Sequence, residues 1–369
     1  MNANEPVRLR RIPSRRRPYR RTPTLARLGG VAAVLLVGAA APRSVHAQTR
    51  AAGAPIEEYL SGMGLSAAQL DSIADGRVVV RLLPGGTDRD VAVIGVIRLE
   101  GAPERVRARV LDVGRFLTAS GRRYQQLSDP ATDADVRDAE LDESEYRDLR
   151  KCRPGDCDFK LPATAMQSFV EQVDWSAPDA KAQADVLMRA GLLRLAADYR
   201  ARGNAATPAY DDVRGVQSGK VFEQLVKQSP DMYEYAPELE RYLTTYPTGR
   251  PPATRDFLYW SEDRLPHLRP ILTLNHVVVY SPPGGTAFVA RKQIYASHYF
   301  EGAFELLAVV DGGAGSAVGT TYLLVLRRFR FDNLPGGPTN IRGRVRQQLV
   351  ELTCSELQRA YADTRAPAN

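Results

Sequence analysis

The chain has few of the residues and motifs from which common reaction centres are built. Among its 369 residues there are only three cysteines and four histidines. No H-E-x-x-H zinc motif, Walker A phosphate loop or G-x-S-x-G nucleophile motif occurs. The glycine-rich stretch 313–319 does not fit the dinucleotide-binding spacing, and strand-like residues follow it instead of a helix. The sequence therefore predicts neither a cofactor nor a metal site.

Long apolar runs are also missing. The uncharged run Leu28 to Ala41 is shorter than the ~20 residues that a spanning helix needs. It follows an arginine-rich stretch and precedes Val45-His46-Ala47, which is typical of an export signal. We expect a signal peptide at 1–47, an exported (periplasmic or secreted) mature chain, and no stable membrane span after cleavage. A retained signal anchor is the alternative, and Arg20-Arg21 permits a twin-arginine route.

The positive charge of the chain lies in this leader. Residues 1–47 hold ten arginines and one glutamate, so the remainder keeps 40 of the 50 basic and 42 of the 43 acidic residues. The formal charge of the predicted mature chain is therefore 40 minus 42, or −2. Net charge thus gives no reason to expect a nucleic-acid partner.

Two of the cysteines bracket a Pro-Gly pair in the segment 151–157. Proline followed by glycine suits a type II turn, which brings Cys152 and Cys157 close together. In an exported protein we expect them to form a disulfide. Half of a metal site and a redox-active pair are the alternatives. The third, Cys354, is expected to be a buried free thiol in the last helix.

The order of patterns predicts an α+β fold with a mainly helical insertion. An N-terminal helical segment is expected at 48–75 and a first α+β part at 76–160, which includes an acidic loop. The helical insertion spans 161–250. An antiparallel meander with a C-terminal helix fills 251–369, and that helix runs from about Asn340 to Ala362. Alternating residues predict strands at 77–83, 90–99, 271–280, 286–300, 304–311 and 320–331, with a tight turn at Glu301-Gly302.

Several late strands carry a polar residue among apolar ones on the same face. These residues are His276, Lys292, His298 and Arg327. Because a buried charge needs a partner, water or a ligand, we expect the four to line a space between a curved sheet and the terminal helix, where they would bind a ligand. The alternatives are that they are satisfied inside an ordinary core, or that the inward face is wrongly assigned.

A second basic group lies around the start of the terminal helix. It comprises Arg328, Arg342, Arg344 and Arg346. The helix dipole disfavours cations at a helix N-terminus, so an anion nearby would explain them. We therefore name these residues as candidate anion-binding residues, with a solvated basic face as the alternative.

The order strand–strand–helix, meander, long C-terminal helix resembles the START-like helix-grip superfamily over about 78–117 and 258–363. The chain also looks like uncharacterised exported bacterial proteins with segments similar to 151–157 and 294–300. The first resemblance implies a cavity beneath the terminal helix that holds an apolar ligand, and it transfers no functional residue. We therefore expect an exported binding protein for a hydrophobic small molecule or lipid. A cavity enzyme with histidine and lysine acid–base groups, and an interaction protein that uses the insertion, are the alternatives.

Overall fold

The protein has an α+β fold built on an antiparallel sheet of eight strands. The computed structural model describes residues 56–114, 123–213, 215–229, 236–264, 268–312, 320–334 and 340–365. The predicted signal peptide and the glycine-rich stretch 313–319 lie outside the described residues.

Most of the described helices precede the meander, and the longest ends the chain. Local capping helps to set their starts: Ser66 and Gln69 form a capping box, and Pro103 opens its helix from the first turn. The helices are α1 Ile56–Gly62, α2 Ala67–Ala74, α3 Pro103–Val110, α4 Asp133–Val136, α5 Glu143–Leu149, α6 Ala163–Gln172, α7 Ala180–Arg202, α8 Ser218–Lys227, α9 Pro237–Thr245 and α10 Ile341–Arg365. A 3₁₀ turn at Gly203–Ala206 follows α7.

The sheet has the order β1-β2-β10-β9-β8-β7-β6-β3, and β4 and β5 form a separate pair. Its two edges, β1 and β3, have five and four residues, whereas the six inner strands have 10 to 12. The strands are β1 Val79–Leu83, β2 Asp90–Glu100, β3 Arg123–Gln126, β4 Ala209–Tyr210, β5 Val216–Gln217, β6 Thr254–Asp263, β7 Ile271–Tyr280, β8 Ala287–Ala296, β9 Phe300–Asp311 and β10 Thr320–Phe331.

Helices cover both faces of this sheet. Helix α10 lies on one face, where a Cβ added to Gly95 would stand 2.6 Å from Leu357 and 2.8 Å from Thr353. We call this the terminal-helix face. Helices of the insertion cover the other, the insertion face. Here one continuous apolar core joins even-numbered strand residues such as Leu274 and Phe304 to α1, α2 and the helices between α4 and α9.

The terminal-helix face is packed differently. Its apolar residues fall into three separate clusters. One surrounds Leu323 and Leu357, one surrounds Phe300 and Phe331, and one surrounds Val277 on the β6–β8 side. Since a completely filled layer usually forms one contiguous cluster, the described side chains on this face do not close into a single core.

The turn between β8 and β9 differs from the prediction. Strand β8 ends at Ala296 and β9 begins at Phe300, so residues 297–299 make the turn, with Tyr299 at a φ of +61°. The expected turn at Glu301-Gly302 is wrong, because both residues lie within β9. A Cβ on Gly302 would stand 2.8 Å from Val221, so this glycine lets α8 approach the sheet closely.

Cys152 and Cys157 form a disulfide as expected, with their Cα atoms 4.5 Å apart. Cys354 is free as expected, but the expectation that it is buried is wrong, because its burial is only partial. Helix α10 occupies the predicted place. No helix in the described part of the chain is both long and apolar enough to cross a membrane.

Candidate ligand-binding site

Arg327 is the predicted site residue that faces the terminal helix. It lies on β10, and its Nη1 donates a hydrogen bond of 2.9 Å to Thr353 Oγ1 of α10. Its Nη2 pairs with the Glu356 carboxylate on the next turn of the same helix. At this position α10 is therefore fixed to the sheet by a buried ion pair and a hydroxyl.

A row of polar side chains continues from Arg327 across the sheet. Glu305 on β9 has one carboxylate oxygen 3.5 Å from Arg327 Nε, and its other oxygen pairs with Arg291 on β8. Arg291 Nη1 lies 3.4 Å from Asn275 Oδ1 and 3.5 Å from Tyr259 Oη. These residues are cross-strand neighbours on one face, because the registers pair Arg327 with Glu305 and Glu305 with Arg291.

Electrostatics keep both arginines of this row charged. Burial disfavours the guanidinium charge of Arg291, but attraction to Glu305 outweighs it and raises the pKa of Arg291 well above its ordinary value. Burial also opposes the charge of Arg327, whose pKa is raised by Glu305 and Glu356. The row is thus a set of alternating charges held between strands and helix.

Two side chains in the middle of this face are only partly buried by the part of the chain that the structure describes. Arg291 keeps 13 % of its side chain exposed, although β8 is bonded to a strand on each side. Leu307, on the neighbouring strand β9, is also only partly buried and touches two of the three separate clusters. We call the region around Arg291 and Leu307, between the clusters, the central gap.

His276 and Lys292 lie on the opposite face, so the expectation that they share a space with Arg327 is wrong. They are register partners on β7 and β8 and are fully buried under the insertion. Lys292 Nζ lies 3.2 Å from Tyr199 Oη and also bonds Asn204. It stands 4.3 Å from the ring centre of Phe222. In the described part of the chain no carboxylate pairs with it, and burial lowers the pKa of Lys292 to about 7.

Tyr199, His276 and Asp256 form a line of polar side chains that starts at this lysine. Tyr199 Oη is 3.0 Å from His276 Nδ1, and His276 Nε2 is 3.9 Å from Asp256 Oδ1, which is too long for a hydrogen bond. Burial lowers the pKa of His276. Burial works against the charge of Asp256 too, but His276 and Tyr242 lower its pKa. In the described part of the chain, the hydrogen-bonded line from Lys292 therefore ends at His276.

His298 lies neither in the polar row nor among the residues around Lys292. It follows β8 and lies beside the disulfide turn, where its Nδ1 is 2.8 Å from Asp158 O and its Nε2 is 3.3 Å from Glu145 Oε1. Its ring also meets Phe159 edge-on. Lys160 N donates to Ser297 O at 2.9 Å, so the segments 151–157 and 294–300 come together here. His298 therefore joins the disulfide turn to the β8–β9 turn.

The four candidate anion-binding arginines are not one group either. Arg328 points to the insertion face, where its guanidinium bonds Ser229 and the carbonyl oxygen of Gln228. Arg342 pairs with Asp88 at 3.0 Å. Arg344 is exposed and Arg346 partly exposed on α10. Arg328 is thus separated from the other three by the sheet.

Four members of the polar row were missed in the sequence: Tyr259, Asn275, Arg291 and Glu305. Asn275 and Arg291 are each next in sequence to a chosen residue, and a polar residue is as visible in the sequence on one face of a strand as on the other. Tyr259 and Glu305 lie on β6 and β9, from which no residue was chosen. No protein-family model matches the chain, and no curated protein matches it. The candidate site therefore depends on geometry alone.

Proposed function

We propose that the protein is an exported binding protein for a largely apolar small molecule or lipid, held in the central gap between the sheet and the C-terminal helix. The observation that carries this proposal is the broken core of the terminal-helix face. Arg291 and Leu307 remain partly exposed in the middle of an eight-stranded sheet, between three separate apolar clusters. Concave, mainly apolar sites with a few polar groups are typical of ligand pockets.

The position of the terminal helix supports the same proposal. Helix α10 is fixed to the sheet near its C-terminal half, where Thr353, Glu356 and Leu357 are buried. Its earlier residues Val345 and Leu349 are only partly buried. In the helix-grip superfamily a long C-terminal helix likewise lies across the sheet and closes a cavity. We include membership of that superfamily in the proposal.

Filling the gap tests the proposal. A Leu307→Trp substitution would place a large side chain in the gap and is expected to abolish uptake of an apolar dye such as Nile red. Leu306→Trp is the matched control, since Leu306 is fully buried in the continuous core of the opposite face. At temperatures where it is folded, this control should still bind the dye. Equal dye binding by wild type and Leu307→Trp would refute the central gap as the site.

Native mass spectrometry of the gently purified protein gives an independent measurement. We expect an apolar molecule to co-purify with the wild type and to be missing from Leu307→Trp. The same spectra test export, because cleavage after Ala47 leaves Gln48 as the first residue. A chain that keeps residues 1–47 after secretion would contradict the proposed processing.

The enzyme alternative has less support. It required His276 or His298 together with Lys292 in one ligand cavity. Lys292 is enclosed by aromatic and amide groups, and His298 lies in the separate group beside the disulfide. General acid–base catalysis needs a side chain within hydrogen-bond reach of the substrate. These three groups fit structural networks better.

A further inference from the structure

One tyrosine hydroxyl stands between two buried bases on the insertion face. Tyr199 Oη lies 3.0 Å from His276 Nδ1 and 3.2 Å from Lys292 Nζ, and all three residues are fully buried. Lys292 also donates a hydrogen bond to Asn204 Oδ1. In the described part of the chain, Tyr199 Oη makes no other hydrogen bond. Each hydrogen on one of these groups therefore limits where the hydrogens of the others can point.

The tyrosine hydroxyl has a single hydrogen, which needs an acceptor in a buried place. When His276 is neutral, its Nδ1 can accept this hydrogen while Lys292, charged or not, donates to the hydroxyl oxygen. When only Lys292 is neutral, its nitrogen can accept the hydrogen while His276 donates. When both bases are charged they only donate, so the hydroxyl hydrogen has no acceptor. The closed arrangement thus accommodates one added proton but not two.

Other ionisable groups act on the two bases from the elements packed around them. They are Tyr242, Tyr246, Arg200, Glu223 and Asp256. Asp256 favours a charged imidazole and Glu223 a charged lysine, whereas Arg200 opposes the imidazole charge. Burial outweighs both carboxylates and lowers the pKa of His276, and it lowers that of Lys292 to about 7. Burial also raises the pKa of both tyrosines, so neither is charged near neutral pH.

The insertion is the side of this contact that can move away. The two bases lie on β7 and β8, which are inner strands with a bonded neighbour on each side. Tyr199 lies near the end of α7, and Asn204 follows in the 3₁₀ turn, where its side chain donates to two carbonyl oxygens of α9. The ends of α7 and α9 are therefore connected to each other. We call residues 199–206 and 242–246 the closing unit.

We infer that the closing unit is an acid-sensitive switch, which lies against the sheet while at least one of Lys292 and His276 is uncharged and leaves it when both are charged. Opening exposes His276 to water, where the imidazole takes up the second proton. Because burial lowers the pKa of His276 from 6.5, the open form binds this proton first, and opening becomes more favourable as pH falls below 6.5. Uptake of one proton raises the opening constant about tenfold per pH unit. The switch lies on the face opposite the central gap and does not depend on the proposed function.

Hydrogen exchange of the full chain, followed by mass spectrometry between about pH 8 and pH 5, tests the switch. After correction for the intrinsic exchange rate, protection of the closing unit should fall about tenfold per pH unit below pH 6.5. Strand β2 and helix α10 should keep their protection. Equal protection of the closing unit at pH 7 and pH 5 would overturn the inference. So would an equal loss in β2 and α10, because the molecule would then unfold as a whole.

Variants assign the slope to the two bases. His276→Phe should remove the slope below pH 6.5, because opening then takes up no proton at this position. Tyr199→Phe/His276→Phe/Lys292→Met replaces the three polar side chains with apolar ones of similar size and should be protected equally at pH 8 and pH 5. His298→Gln is the matched control, since it removes the other histidine in the described part of the chain and should keep the slope. A slope that persists in His276→Phe, or that disappears in His298→Gln, would overturn the inference.

Discussion

Lys292→Met should make the protein more stable at neutral pH, although it removes a buried polar group with hydrogen bonds. The ammonium of Lys292 sits on the insertion face against Tyr199, Asn204 and Phe222, without a carboxylate partner in the described part of the chain. Methionine has a similar length and an apolar end, so it can occupy the same space without a charge to desolvate.

The magnitude follows from the pKa. Burial lowers the pKa of Lys292 from 10.5 to about 7, so the folded protein releases a proton that the unfolded chain keeps between these two values. The free energy of unfolding of the wild type therefore rises with pH in this window and falls as pH drops toward 7. The full effect is on the order of 5 kcal/mol, of which about 3 kcal/mol develops between pH 7 and 9.5.

Urea unfolding at several pH values measures this slope. The wild type should gain about 3 kcal/mol between pH 7 and 9.5, whereas Lys292→Met should lose most of that gain. Burial raises the pKa of Tyr199 and Tyr242, so ionisation of these two tyrosines does not contribute to the slope below pH 9.5. The exposed Lys220 provides a control, since Lys220→Met should keep the wild-type slope. Equal slopes in wild type and Lys292→Met would refute the reasoning.

Three further predictions concern other parts of the fold. Leu307→Trp should leave the free energy of unfolding nearly unchanged, whereas Leu306→Trp should lower it by about 1–3 kcal/mol, because only the second site is tightly filled; equal losses in urea unfolding would contradict the gap. Burial lowers the pKa of His276 from 6.5, so stability should fall as pH drops below 6.5, and His276→Phe should flatten that fall; an unchanged acid profile would contradict this. The double variant Cys152→Ala/Cys157→Ala should lower the free energy of unfolding by about 2 kcal/mol, a modest amount because the loop that the disulfide closes is short. A reductant should then lower the stability of the wild type only, and an equal loss in the variant would contradict the disulfide.

Much of the meander was predictable because its strands alternate regularly and end at turn residues. Strands β7 and β10 and helix α10 lie where the patterns place them. Strand β6 was missed, because its sequence mixes charged and aromatic residues without clear alternation. The β8–β9 turn was misplaced because Gly302 suggested a tight turn. Gly302 instead allows α8 to approach the sheet closely. A single sequence does not distinguish a glycine needed for a turn from a glycine needed for close packing.

The candidate site was only partly predictable, because both faces of the sheet are covered. All ten residues of β7 are buried, so the apolar pattern does not tell which face meets the terminal helix. The sequence predicted polar residues within an apolar sheet, and Arg327 does face α10. His276 and Lys292 do share one face of the sheet, as predicted, but that face is covered by the insertion. A register break between Leu274 and Asn275 also changes which face the end of β8 presents.

The shortness of the two outermost strands has a consequence for contacts between copies of the protein. A strand edge with free N–H and C=O groups is a template on which another chain can add. Here β1 covers only Ala92–Val96 of β2, and β3 covers only Tyr259–Glu262 of β6, so the uncovered ends of these two longer strands also border the sheet. Among the described residues, the backbone on which one copy could extend the sheet of another is therefore divided into short stretches instead of one long edge.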